Sequence, residues 1–262
     1  MSRNFLISYA SSNPRDYRKS QRKLIKSAKR YNTFDRIFSF TNKDIKKAFK
    51  IKNKKILSNK RGDGYWLWKP YLLKKTIDKM NFGDKVLYCD SGAYFINNPE
   101  YLLDLCSIDN PIIIFTTQCH KVIEWTKRDC LIIMDSDKQS IHDHDQACGG
   151  YQVYCKTPES VKFIDEYLNS CENETLITDT PSILAREYTE FKEHRHDQSI
   201  LTLLAINYSI QFHRDPSQFG NSFISEYPND RYPQIFNTHR ESNLSFRFRL
   251  NRKINLLLNR LR

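Results

Sequence analysis

The sequence predicts a mixed α/β fold, in which a mostly parallel central sheet is covered by helices on both faces. Short apolar runs of strand length, such as 5–10 and 85–89, alternate with longer segments of helical pattern, such as 15–31 and 158–171. This alternation is typical of strand–helix–strand units, which build parallel sheets. The 7 Gly and 9 Pro among 262 residues leave room only for short connections, so we expect one domain.

The predicted elements follow from local signals taken in chain order. The turn residues Ser11 to Pro14 end the first strand and start a basic helix, and Pro70 occupies the first turn of another helix. The predicted strands are 5–10, 36–41, 85–89, 112–117, 149–155 and 210–213, and the predicted helices are 15–31, 43–49, 69–80, 99–106, 158–171 and 196–208. We expect a domain over 1–244 and a separate tail over 245–262.

Composition excludes several classes of protein. A hydrophobic fraction of 39% and an aromatic fraction of 13% are enough to fill a core, which argues against a disordered chain. The 7 cysteines contain no C-x-x-C pair, which favours reduced core thiols over disulfides or zinc. Residues 1–10 contain no long apolar run, so we expect a protein that stays in the cytosol.

The net charge of +12 is unevenly distributed. Residues 1–61 contain 19 Lys and Arg and 3 acids, and residues 245–262 contain 6 Lys and Arg and no acid. Residues 62–244, in contrast, contain 17 Lys and Arg and 27 acids. Basic regions attract the phosphates of nucleic acids, of anionic lipids and of nucleotide diphosphates, and charge alone does not choose among them. No nucleic-acid-binding motif is present, so a nucleic-acid-binding protein remains the weaker alternative.

Three segments contain candidate site residues. In the first, Gly62 to Pro70, glycines and aromatic residues precede a helix start that carries Lys69, and helix starts bind anions. In the second, Asp90-Ser91-Gly92 directly follows a buried strand, where open α/β sheets bind ligands. In the third, His194 to Ser199, Asp197 and the histidines offer acid–base groups at a helix start. Each segment also has a purely structural alternative. The first could anchor a loop to the core through its aromatic side chains, the second could be a turn, and the third could be a helix cap.

Taken in order, these motifs resemble those of a known enzyme family. The stretches G-x-G-Y-W-x-W-K-P at 62–70, D-S-G at 90–92, W-T-K-R-D at 125–129, Q-A-x-G-G at 146–150 and H-R-H-D-Q-S at 194–199 are the ones that carry the resemblance. They are similar to motifs of GT-A-type glycosyltransferases from bacterial surface-polysaccharide clusters and large viruses, which are distantly similar to family 8 sugar transferases. The resemblance covers about residues 1–215 and implies a GT-A-like (Rossmann-like) fold.

The resemblance also implies a ligand and roles for residues. A nucleotide-sugar donor would contact Tyr9, Ser11, Gly64, Tyr65, Trp66, Lys69, Asp90, Ser91, Gly92, Lys127, His196 and Gln198. Asp90 would be the first acid of the D-x-D signature that holds Mn²⁺ or Mg²⁺, but Gly92 stands where the second acid belongs. Either His239 completes the metal site with Asp90, or basic residues replace the metal. Asp197 and Asp90 are the expected catalytic residues, and the acceptor would be a glycan or a lipid-linked molecule. A scaffold of the same fold without catalysis is a further alternative.

The tail predicts a surface contact. Apolar residues recur every three or four positions from Phe246 to Leu261, with arginines between them and no acid. This pattern favours a basic amphipathic helix on an anionic membrane, and a C-terminal helix packed on the domain is the alternative.

Overall fold

A six-stranded sheet forms the centre of the protein, as described by a computed structural model that covers residues 2–11 and 15–238. The strands are β1 (Asn4–Tyr9), β2 (Arg36–Phe40), β3 (Lys85–Cys89), β4 (Ala93–Phe95), β5 (Ile112–Lys121), β6 (Asp145–Cys155), β7 (Phe212–His213) and β8 (Phe236–Thr238). The order across the large sheet is β2-β1-β3-β6-β5-β7, and β4 pairs with β8 in a separate two-stranded sheet. Five of the six strands point the same way, and β6 alone in this sheet runs antiparallel to both of its neighbours. The predicted mixed α/β architecture is confirmed.

Helices lie on both sides of this sheet. They are α1 (Arg15–Ala28), α2 (Lys47–Lys52), α3 (Lys54–Leu57), α4 (Gly62–Tyr65), α5 (Trp68–Ile77), α6 (Glu100–Leu103), α7 (Val122–Trp125), α8 (Arg128–Ile133), α9 (Gln139–His142), α10 (Pro158–Cys171), α11 (Glu174–Ile177) and α12 (Asp197–Asn207), with 3-10 turns at Asn42–Asp44 and Gln218–Glu226. None of the described helices has the length and apolar character that a membrane-spanning segment needs.

The core consists of two buried clusters, one on each face of the sheet. Strand β3 shows the division, because Val86 and Tyr88 belong to one cluster while Leu87 and Cys89 belong to the other. Side chains alternate between the faces of a strand, so a strand buried on both faces is apolar along its whole length. Helices α5, α10 and α12 cover the first face, and α1 and α6 cover the second.

The structure corrects the sequence predictions at several elements. The predicted helix 43–49 is divided into a 3-10 turn and α2, and the predicted strand 149–155 is the longer β6. The sequence did not indicate the pairing of β4 with β8, in which Phe236 is buried and its ring stacks on that of Tyr151 with centroids 4.3 Å apart. All 7 cysteines are free, and five of them are buried. His239 and the tail at 245–262 lie outside the described residues.

Candidate functional site

The carboxyl ends of β1 and β3 bring two of the predicted site residues to one edge of the sheet. The strands are parallel, with Ile7 paired to Tyr88, so Tyr9 ends β1 close to the point where Asp90 follows β3. Strand β6 enters at the same edge, and the backbone N–H of Asp90 donates to the carbonyl of Gly150 at 2.9 Å. The side chain of Asp90 is half-buried, whereas those of its neighbours Cys89 and Ser91 are buried. Asp90 is therefore a carboxylate presented at the open edge.

A buried ion pair lies beside Asp90. The Nζ of Lys69 is 2.6 Å from Oδ2 of Asp197, and both side chains are about as buried as the core, with 3% and 4% exposure. Lys69 also donates to the carbonyl of Gly149 at 2.9 Å, and the hydroxyl of Tyr167 donates to Asp197 at 3.0 Å. Burial alone would lower the pKa of Lys69, but the carboxylates of Asp197 and Asp90 outweigh it and raise this pKa. Lys69 therefore keeps its positive charge next to Asp90.

The phenol of Tyr88 orients Asp90. Its hydroxyl donates to Oδ1 of Asp90. Burial raises the pKa of Tyr88 well above its usual value, and the charge of Asp90 adds to this effect. The phenol thus stays protonated and remains a hydrogen-bond donor. Residues two apart on a strand face the same side, which is the sequence signal that could have identified Tyr88.

Two glycines allow the backbone to pack closely against these charges. A Cβ atom on Gly149 would lie 3.4 Å from the Nζ of Lys69 and 3.3 Å from the Cβ of Gln198, and one on Gly150 would lie 3.4 Å from Oδ2 of Asp90. The contact with Gln198 is tighter than an ordinary van der Waals distance, and the two at 3.4 Å lie at its lower limit. The Q-A-x-G-G segment therefore allows backbone, Gln198 and carboxylate to approach one another closely.

The first candidate motif includes α4, which is a left-handed turn and not an ordinary right-handed helix; the sequence analysis did not predict this. All five residues from Gly62 to Trp66 have positive φ, between 52° and 91°. Left-handed geometry costs a non-glycine residue about 1–2 kcal/mol, and here Asp63, Tyr65 and Trp66 adopt it. Glycine is required at 62, because a Cβ there would lie 2.3 Å from the Trp66 ring. The indole N–H of Trp68 donates to the carbonyl of Gly62 at 2.9 Å and holds the turn.

This turn connects both sides of the site. On one side, the hydroxyl of Tyr9 donates to Asp63, and the ring of Tyr9 stacks on Trp68 with centroids 3.9 Å apart. On the other side, the rings of Tyr65 and Trp66 lie 4.8 and 5.6 Å from that of His196. Asp63 is a site residue that the sequence analysis missed, because nothing in the sequence shows that this turn is left-handed.

The two histidines before α12 donate hydrogen bonds to backbone carbonyls. Nε2 of His194 donates to the carbonyl of Leu176 at 2.7 Å, while its Nδ1 accepts from the backbone N–H of Lys127 at 3.3 Å, so this ring is neutral. Nδ1 of His196 donates to the carbonyl of Ile177 at 2.8 Å, and its Nε2 lies 3.6 Å from Asp179. Burial lowers the pKa of both histidines.

Lys127 adjoins His194 through its backbone, but its side chain binds a neighbouring loop. Its side chain is 2% exposed, and its amine donates to the carbonyls of Thr178 and Thr180, each at 3.0 Å. Nearby, the buried carboxylate of Asp129 accepts from the backbone N–H groups of Ile183 and Leu184. The W-T-K-R-D segment thus holds the loop at 178–184, and the structure gives no support to ligand binding by Lys127.

The remaining predicted residues have these positions. Ser11 is half-buried just beyond β1, and Gly64 is buried in the left-handed turn, where a Cβ would lie 2.7 Å from the Cα of Leu57. Leaving out its two chain neighbours, none of the described residues has an atom within 4 Å of a Cβ position at Gly92, so the described part of the chain leaves space there for the missing acid of the D-x-D signature. Among the described residues, no group of three or more His, Cys, Asp or Glu could hold a metal ion. A surface cavity of about 570 Å³ lies at the opposite end of β3, and no candidate site residue lines it.

Comparison with solved structures shows the fold. The bifunctional glycosyltransferase WbbM matches with a TM-score of 0.54 and 12% identity over 92% of this chain and 46% of WbbM. This chain thus spans about half the length of WbbM. Mouse xyloside xylosyltransferase 1 has a TM-score of 0.49 and 10% identity over 90% of this chain and 97% of its own. The galactosyltransferase LgtC, in complex with donor and acceptor sugar analogues, has a TM-score of 0.49 and 13% identity, with 90% and 86% covered. No family model and no curated protein matches the sequence. The chain has a GT-A-like glycosyltransferase fold.

Proposed function

We propose that this protein is a glycosyltransferase that moves a sugar from a nucleotide diphosphate sugar to an acceptor. The GT-A-like fold shared with WbbM supports this class of enzyme. The observation that carries the proposal is the half-buried carboxylate of Asp90, held at the carboxyl edge of the sheet beside the charged amine of Lys69. Open α/β sheets bind their ligands at this edge.

The nucleotide-sugar donor would lie along the edge from Tyr9 to the glycines of β6. Two carboxylates, Asp63 and Asp90, are each held by a tyrosine hydroxyl there and could accept hydrogen bonds from sugar hydroxyls. Gly149 and Gly150 have no side chains that would block a ligand beside Asp90. Ser11, Ser91 and Gln198 remain proposed contacts around the same space.

The reaction leaves negative charge on the departing diphosphate and positive character on the sugar. Fixed charges that match this pattern lower the barrier. Asp90 is exposed enough to contact the ligand. Asp197 is buried and bound to Lys69 and Tyr167, so we propose that it acts by positioning Lys69. This proposal revises the sequence expectation that Asp197 is itself a catalytic residue.

A divalent metal remains a separate proposal. The described residues provide one suitable carboxylate, Asp90, and do not form a metal site by themselves. The described chain ends at Thr238, which pairs with Ala93, three residues after Asp90, and His239 follows in the sequence. We propose that Asp90 and His239 together hold Mn²⁺ or Mg²⁺. Because Gly92 has open space, Gly92→Asp should strengthen Mn²⁺ binding, as measured by calorimetry. Unchanged binding, or full activity in excess EDTA, would contradict a metal at this position.

The acceptor and the tail belong to the same proposal. A lipid-linked acceptor would suit a tail that binds an anionic membrane, whereas a glycan acceptor needs no membrane contact. Deleting residues 245–262 should leave donor hydrolysis intact and reduce binding to anionic vesicles. If the truncated protein unfolds, the alternative of a packed C-terminal helix is correct.

Donor hydrolysis tests the proposed function directly. A panel of nucleotide sugars is first screened by thermal shift, where a ligand at a hundred times its dissociation constant adds about 2.7 kcal/mol of stability. Asp90→Asn should then lower turnover by about 10² or more, because a negative charge beside the sugar, where positive character develops, is removed, with an unchanged melting temperature. Near-normal turnover would exclude Asp90 from the site. Donor binding without any hydrolysis or transfer would favour a scaffold without catalysis.

A further inference from the structure

Helix α1 has an exposed face that is basic from Lys19 onward. Lys19, Arg22, Lys26, Lys29 and Arg30 are all exposed and recur at spacings of three and four residues. The backbone N–H of Lys29 donates to the carbonyl of Ile25 at 3.1 Å, so the helical turn continues past Ala28. Residues at these spacings lie on the same side of a helix. No acid occurs in the sequence from 17 to 30. We call this surface the basic face of α1.

Several lysines elsewhere in the described structure pair with acids, unlike those of the basic face. Lys52 pairs with Glu172, Lys55 with Glu174, and Lys74 with Asp78 and Asp165. The five cations of the basic face form no ion pair with any described residue. Like charges at these spacings destabilise a helix, so the fold itself gains nothing from this arrangement. Asp35, the next acid in the sequence after the helix, accepts from the backbone N–H of Asn4.

The opposite face of α1 is fixed to the domain close to the candidate site. Leu24 and Ala28 are buried in the core, and Gln21 donates to the carbonyls of Ser8 and Phe40. Ser27 accepts from the backbone N–H of Phe95 in β4, the strand that follows Asp90. A surface that binds the basic face would therefore lie at a fixed orientation to the carboxyl edge.

We propose that the basic face of α1 docks on a lipid bilayer that contains anionic phospholipids. Its charge complements such a surface, and each Lys or Arg near it strengthens binding about fivefold. A nucleic acid fits less well, because no aromatic side chain lies among these cations to stack on bases. The chain from 62 to 244 also carries 27 acids against 17 Lys and Arg, which would repel a longer polyanion.

Vesicle binding by the full chain tests this proposal. The variant Lys19→Glu, Arg22→Glu, Lys26→Glu should bind vesicles of phosphatidylcholine and phosphatidylglycerol about a hundredfold more weakly than the unaltered chain. A matched control, Lys46→Glu, Lys47→Glu, Lys54→Glu, changes net charge equally at exposed positions elsewhere and should retain most of the binding. Circular dichroism should show intact helix in both, because Glu and Lys have similar helix propensity.

The outcomes separate docking from the proposed transfer. An equal loss of vesicle binding in both variants would show that net charge alone drives binding and would overturn the proposal. Unchanged binding of the α1 variant, or equal binding of the unaltered chain to vesicles of phosphatidylcholine alone, would also overturn it. Tighter binding to single-stranded RNA than to vesicles would assign the face to nucleic acid. Donor hydrolysis in solution should be the same for both variants. If the unaltered protein shows no hydrolysis, the proposed glycosyltransferase activity is contradicted, but the result of the vesicle experiment is not affected.

Discussion

Two regions of this protein each bury a lysine and an aspartate. Lys69 and Asp197 pair with each other at 2.6 Å beside the half-buried Asp90. Lys127 and Asp129 are equally buried but bind backbone groups of the loop at 178–184. The first pair places charge at an open edge, and the second fixes a loop. The comparison teaches that burial of a charge does not by itself identify a ligand site, because a buried charge can equally serve to fix backbone groups.

The largest effect is expected from breaking the first pair. Lys69→Met leaves Asp197 buried without its cation, and removing one partner of a buried pair costs about 3–5 kcal/mol. The free energy of unfolding, measured by denaturant titration, should fall by this amount. The double variant Lys69→Met, Asp197→Leu should recover much of the loss, because no buried charge remains. A single variant as stable as the unaltered protein would show that the pair is not desolvated.

A smaller effect is expected in the second region. Asp129→Asn removes the charge that accepts from Ile183 and Leu184, and a weakened acceptor for buried donors costs about 1–3 kcal/mol. Hydrogen exchange should become faster at residues 183 and 184 and stay unchanged at Asp90. Exchange that speeds up equally at both places would mean that the loop and the site unfold as one unit.

The smallest effect concerns pH and the histidines between the two regions. The pKa of His194 in the folded protein lies below the usual value of about 6.5, because burial opposes its charge. As pH falls below this value, the unfolded chain binds a proton that the folded chain does not, so stability decreases, by up to about 1.4 kcal/mol per pH unit for one group. His194→Gln should flatten this dependence between about pH 6.5 and 5. An unchanged slope would mean that His194 is not buried as a neutral ring.

The sequence predicted the elements of the site better than their arrangement. The apolar run at 85–89 is bounded by a turn and by Asp90, so both the strand and the position of Asp90 could be read from it. The left-handed turn at 62–66 could not, because Asp63, Tyr65 and Trp66 disfavour that geometry locally and adopt it only within tertiary contacts. The same reason explains why the contact between Tyr9 and Asp63 was missed.

The sequence by itself determined the alternation of strands and helices, the two-faced apolar core and the residue types available for chemistry. These features depend on local periodicity and on the burial of apolar surface. Only the tertiary structure decided that β6 runs antiparallel, that Lys69 meets Asp197 from 128 positions away in the chain, and that Lys127 turns to a loop. The physical reason is that a buried charge must find a partner, and the fold determines which partner is within reach.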